Sequence, residues 1–137
     1  MKKYILLLLP FFLWNCNKDN YNNSNPYIPN YTFSVDINTD LPTYNSLKFA
    51  SNGKYIANYG ARGIIVFNTG SGYTAFDAAC PNQAIGSCST MSVNGITAVC
   101  SCDSASYSLF TGQSAGKQYP MKQYRVEING DLIRVYN

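Results

Sequence analysis

Two pairs of cysteines flank a short hairpin signal in this chain: Cys80 and Cys88 precede Asn94-Gly95, and Cys100 and Cys102 follow it. A tight turn there makes the strands on either side run together, so the two cysteine-bearing loops must meet beyond them. The chain contains no histidine. Any metal or cluster site that needs neutral imidazole is closed to it, while thiolate ligation and disulfide bonding stay open. No Ser or Cys nucleophile has a histidine base either, which excludes the usual catalytic triads.

The N-terminus reads as an export signal. Lys2 and Lys3 precede an apolar run over residues 4–14, which stops at Asn15-Cys16. The run is shorter than the roughly 20 residues that a spanning helix needs. An apolar stretch that ends abruptly at one cysteine, with a polar tail behind it, resembles a bacterial lipoprotein signal. That resemblance implies cleavage after residue 15, lipidation of Cys16 and a place in the cell envelope, anchored to a membrane by lipid. Of the five cysteines, assigning Cys16 to lipid leaves an even four for an oxidising compartment.

Residues 17–30 are Asn-rich and lack apolar periodicity, so they are expected to act as a solvated tether. Loss of Lys2 and Lys3 with the signal takes the net charge from +3 to about +1, which leaves no nucleic-acid footprint. Residues 31–137 have the length of one small domain.

That domain reads as all-β. Short runs rich in Val, Ile, Tyr, Phe and Thr recur between Gly, Asn, Pro and Ser clusters, with no helical stripe. Strands are expected over residues 33–37, 47–50, 54–58, 63–68, 73–77, 91–93, 96–100, 106–110, 124–128 and 132–136. Asn94-Gly95 and Asn129-Gly130 supply the positive φ of tight turns. Ile64-Ile65-Val66-Phe67 is apolar on both faces, as in a strand covered on both sides. The twelve tyrosines read as half-buried sheet residues rather than a ligand face. Asp77 and Asp103 read as a strand end and a turn cap, not as an acid–base pair.

From Tyr73 to Tyr136 the pattern is more specific. Cys80-Pro81-Asn82 opens a loop that ends at Cys88, the hairpin follows, then come Cys100-Ser101-Cys102-Asp103 and a Tyr124-led strand pair. This resembles a Rieske domain of the cytochrome bc type, with its CxHxxC loop, hairpin and CxCH loop. The resemblance implies a small antiparallel β-sandwich with two Cys-bearing loops joined by a hairpin. It puts Cys80 and Cys100 at the cluster-ligating cysteine positions, Cys88 and Cys102 at the loop-joining disulfide, and Tyr107 at a tyrosine that hydrogen-bonds near the cluster. The chain departs from the family where it matters most. Asn82 and Asp103 stand at the two histidine positions, Ala105 at a common cluster-facing serine, and Pro120 alone remains of the proline-rich loop.

An amide oxygen is a weak iron ligand and a carboxylate a hard one, so the pair replaces two imidazoles poorly. Three readings of the sulfurs stay open. In the first, two disulfides form, Cys88 with Cys102 as in the family and Cys80 with Cys100 for want of iron, and no cofactor binds. In the second, Cys80, Cys88, Cys100 and Cys102 hold a 2Fe-2S cluster or zinc. Cys100 and Cys102, two apart at a strand end, are expected to point to opposite faces, against a shared centre. The third is a redox dithiol, opposed by the lack of a nearby positive charge and by Asp103. The first leads to a non-enzymatic envelope module for an unidentified protein partner; its alternative is an electron-transfer protein.

Overall fold

The computed structural model describes residues 24–137. The expected signal over residues 1–15, the lipidation site Cys16 and the first part of the tether lie outside the described residues. Nine strands are present among the described residues: β1 Ser34–Asn38, β2 Gly53–Ile56, β3 Ile64–Asn68, β4 Tyr73–Asp77, β5 Ser92–Asn94, β6 Thr97–Val99, β7 Ser106–Ser108, β8 Gln123–Asn129 and β9 Leu132–Tyr136. All pairings are antiparallel. One sheet has the order β1-β9-β8-β4-β3-β2 and the other β5-β6-β7. No helix among the described residues is long and apolar enough to cross a membrane.

The strand expected at residues 47–50 is instead a 3-10 turn, Asn45–Lys48, which drops Leu47 into the core. One buried leucine between polar neighbours gives no alternation to sustain a strand. Its carbonyl is capped by Asn68 Nδ2 at 2.7 Å and by the Tyr73 hydroxyl at 3.0 Å. The hairpin turns also differ in detail from expectation. Asn94 pairs with Thr97 and Asn129 with Leu132, so each Asn closes its strand while the following glycine carries the positive φ, +59° at Gly95 and +60° at Gly130. A glycine in the first of two loop positions is the placement of a type II′ connection.

β3 is buried along its whole length. Ile65 and Phe67 face one core with Phe76, Met91, Ala98, Tyr107 and Leu109, which fills the space between the two sheets. Ile64 and Val66 face a second core with Ile37, Ile133 and Val135, which the large sheet makes by curling over itself. The doubly apolar run is thus explained by a strand that belongs to both.

Asp77 ends β4, and it does more than end it. Its carboxylate is fully buried and accepts hydrogen bonds from the Tyr124 hydroxyl (2.6 Å) and from the backbone N–H of Ala61 (2.6 Å), Arg62 (3.3 Å) and Ala79 (2.8 Å). Burial and the neighbouring Asp77 carboxylate push the Tyr124 hydroxyl far above the ordinary tyrosine range, so it stays a donor. Gly60, at φ +64°, packs so tightly here that a Cβ would strike Asp77 and the Tyr124 hydroxyl. Asp77→Ala would leave four donors without an acceptor, and we expect a loss on the order of 3 kcal/mol of unfolding free energy, with Asp77→Asn intermediate. Urea denaturation checks this; a loss below about 1 kcal/mol in the alanine variant would mean the carboxylate is not a structural hub.

Candidate functional site

The loop after β4 is closed at its base before it carries any chemistry. Cys80 N–H donates to Ser89 O at 2.8 Å, Met91 N–H to Ala78 O at 2.7 Å, and Ala79 bridges Thr90. Inside the loop, buried Ser89 takes the Gly86 N–H on its Oγ (2.7 Å), and Arg62 Nη2 donates to Gly86 O (2.9 Å). The second loop leaves β6 as a tight turn, with Cys100 N–H to Ala105 O and Ser104 N–H to Cys100 O, both 2.9 Å. Asp103 caps it by accepting the Ala105 N–H at 3.0 Å. The β5–β6 hairpin sets the two loops side by side.

Two disulfides join them. Cys80–Cys100 spans 5.6 Å between Cα atoms and Cys88–Cys102 spans 5.1 Å. Cys80 and Cys100 are both buried at 1 % exposure, Cys102 is half-buried and Cys88 is exposed. The expected opposition of Cys100 and Cys102 does not hold. Residues two apart along a strand share a face, so alternation gives no ground for opposing them; in the turn beyond β6, which ends at Val99, the sulfurs of Cys80, Cys100 and Cys102 lie within 4.8 Å of one another. Cys88 is not in that set, so the four sulfurs weighed as one metal site do not assemble as a single centre.

Asn82 and Asp103 sit on the loops as the resemblance places them, and both side chains are engaged. Asn82 Nδ2 donates to the Tyr107 hydroxyl (2.9 Å) and to Tyr119 O (2.8 Å), while its Oδ1 accepts the Tyr119 N–H (2.9 Å). Tyr107 is fully buried beneath the loops, and burial raises its hydroxyl above the ordinary range, partly offset by the Asn82 bond. Asp103 pairs with Lys117 at 2.6 Å, and this holds its carboxyl below and the ammonium above their ordinary values. Ala105 packs at the edge of the inter-sheet core and Pro120 is exposed at the end of the same third loop that supplies Lys117 and Tyr119. Both residues at the histidine positions therefore tie the cysteine loops to that third loop.

Sequence reasoning missed three things here. Lys117 lies 14 residues from Asp103, with no pattern linking them, and it supplies the positive charge thought to be lacking. The buried Lys122 was not singled out. The tether, expected to be solvated to residue 30, is docked from at least residue 25. Asn25 Nδ2 donates to Pro81 O (2.8 Å), Tyr27 meets Tyr119 edge-on (6.0 Å), and Ile28 is buried at 4 % exposure. Lys122 Nζ donates to Asn30 Oδ1 at 2.7 Å under this strap, and burial lowers its pKa. The domain thus begins before residue 31, and an Ile-Pro step in a polar stretch was the available signal.

No protein-family model and no curated protein matches the chain. Among solved structures it is similar to a chain of the complex of reduced oxygenase and oxidized ferredoxin in carbazole 1,9a-dioxygenase, at 17 % identity and TM-score 0.52 over 75 % of this chain and 92 % of that one. The fold is Rieske-like. Two further similarities are to a Sphingomonas yanoikuyae B1 ferredoxin (19 % identity, TM-score 0.47, 67 % of this chain and 93 % of that one) and to the ferredoxin of carbazole 1,9a-dioxygenase from Nocardioides aromaticivorans IC177 (14 %, 0.48, 74 % and 96 %).

A two-iron centre of the Rieske type would draw on residues 80, 82, 100 and 103, and these do not fit it. The Asn82 amide is spent on both its donor and acceptor sides, Asp103 is a hard ligand held by Lys117, and the two sulfurs are bonded to each other.

Two predictions concern this apex. Cys88→Ser opens a loop of sequence separation 14 and should cost about 3 kcal/mol, seen as a lower melting temperature; an unchanged one would show that this bond contributes nothing. Asp103 has a depressed pKa, so its contribution is present above the ordinary value of 3.8 and is lost as the pH falls below it. Asp103→Asn should therefore be less stable than the parent at pH 7, with the difference shrinking at pH 3; an equal difference at both would deny the ion pair its role.

Proposed function

We propose that the chain is an envelope lipoprotein whose Rieske-like domain is degenerate: free of a cluster, stapled by disulfides and serving as a non-enzymatic binding or structural module for an unidentified protein partner. The observation that carries this reading is the use made of Asn82 and Asp103. Where the resemblance calls for iron ligands, both side chains close the apex instead, toward Tyr107, Tyr119 and Lys117. An oxidising compartment, implied by the signal-like N-terminus and an even cysteine count after Cys16, suits the two disulfides.

A second reading, an electron-transfer protein with cysteine-held metal, draws support from the closeness of the Cys80, Cys100 and Cys102 sulfurs. One preparation separates the two. The exported protein, purified anaerobically, should be colourless, lack stoichiometric iron or zinc, and show Cys80, Cys88, Cys100 and Cys102 all oxidised by alkylation and mass spectrometry. Visible absorption with stoichiometric metal would replace the first reading with the second. The lipid anchor has its own check: Cys16→Ala should abolish incorporation of an alkyne fatty acid and release the protein from membranes, and retention of the label would refute lipidation at that residue.

A further inference from the structure

The two disulfides differ in access but not in position, and that combination has a chemical consequence. Cys88 is exposed, Cys102 is half-buried, and Cys80 and Cys100 are each 1 % exposed. A thiolate in solution can therefore reach the outer bond at Cys88 and has no path to the inner one. Cys102, however, has its sulfur within 4.8 Å of both inner sulfurs. Once its bond to Cys88 is cut, it is a nucleophile held against the Cys80–Cys100 disulfide.

We infer that the apex is a thiol–disulfide exchange relay, in which an external thiol opens the outer bond and Cys102 passes the opening inward to the buried pair. In the first step an external thiolate attacks the Cys88 sulfur, forming a mixed disulfide with Cys88 and expelling Cys102 as a thiolate. Next, Cys102 attacks the Cys80 sulfur, a Cys80–Cys102 bond forms, the Cys80–Cys100 bond breaks, and Cys100 leaves as a thiolate that takes a proton from solvent. This second step moves no net electrons. A second external thiol then resolves the mixed disulfide, leaving a Cys88 thiol and an external disulfide. In sum, two thiols are oxidised, one protein disulfide is reduced, and the surviving bond has moved.

The direction of attack follows from the backbone. A Cys100–Cys102 bond would have to close inside a turn already fixed by the Cys100 N–H to Ala105 O and Ser104 N–H to Cys100 O bonds. A Cys80–Cys102 bond joins the same two loops that both disulfides join already. Buried Ser89 donates its hydroxyl to Ala84 O at 3.3 Å and holds its Oγ 3.9 Å from the Cys102 sulfur, so the hydroxyl can turn from Ala84 O to donate to the thiolate. The Asp103 charge that would oppose a thiolate is paired with Lys117. An ordinary thiol is also an effective attacker near neutral pH, because nucleophilicity falls as the pKa is lowered. The substrate class is accordingly a small thiol or an accessible dithiol able to touch Cys88.

This inference rests on the disulfide reading above, and metal content of the parent protein tests that reading separately. The relay itself is tested by mapping thiols. Wild-type protein is exposed to limiting reduced glutathione, quenched in acid to stop exchange, denatured and alkylated with N-ethylmaleimide. Label on Cys100 and Cys88 is expected, and label confined to Cys88 and Cys102 would overturn the relay. Cys88→Ser needs no reductant, since Cys102 is then free from the start. After incubation at pH 8 and the same quench, Cys100 should carry at least about a tenth of the label, and none there would again overturn it. In Cys102→Ser the inner bond should be reduced by glutathione at least about tenfold more slowly than in wild type; an equal rate would mean the inner pair is reached directly.

Discussion

The Asp77 carboxylate is the interaction on which the placement of everything else depends. It is buried where β4 ends, and its four acceptor contacts fasten three separate pieces of chain: β8 through Tyr124, the loop before β3 through Ala61 and Arg62, and the start of the Cys80 loop through Ala79. Buried backbone donors must find acceptors, and irregular loops have no ladder to supply them. A single side chain supplies them here. The large sheet can therefore stop its β4 edge at a defined residue, and the cysteine loop starts from a fixed point three residues before Cys80.

The apex built on that point is held by two disulfides and by polar side chains. In a cluster-bearing loop pair, the metal–ligand bonds would fix the loops relative to each other. Here the two disulfides do so covalently, and polar side chains do the rest. Asn82 is worth most of these contacts because it joins three elements: its own loop, the top of β7 through Tyr107, and the third loop through Tyr119. A histidine at this position could not reproduce the pattern, since imidazole has one donor and one acceptor in its neutral form whereas the amide has two donors and a carbonyl. The side chain is matched to stitching, and Asp103 with Lys117 repeats the logic on the other loop.

What could be read from residues alone was set by how local the determinant is. Each of the nine strands among the described residues overlaps a run expected to be a strand, and Gly95 and Gly130 punctuated two hairpins, so the all-β order and the meeting of the cysteine loops were legible. β3 advertised its two cores by having no polar face. Leu47 failed because one apolar residue serves a 3-10 turn as well as a strand. The opposition of Cys100 and Cys102 failed because residues two apart along a strand share a face, and here both lie in the turn beyond β6. The partners of Asn82, Asp103 and Lys122 are separated from them by 37, 14 and 92 residues, and no periodicity spans such gaps. The strap was hidden by composition: Asn and Pro dominate it, and the single buried Ile28 is too small a signal to lift it above a linker.

The strap also changes what the loops can do. With Asn25 bound to Pro81 O and Tyr27 against Tyr119, the first and third loops are braced from outside as well as from beneath. A braced loop loses little further freedom when two of its groups react, so an intramolecular attack across a few ångströms competes well with any reagent in solution. An outside thiol is kept from the inner pair by burial, Cys80 and Cys100 each being 1 % exposed. The two disulfides are therefore separated by route rather than by strength: the outer bond faces solvent at Cys88, and the inner one is buried with the Cys102 sulfur within 4.8 Å of both its sulfurs.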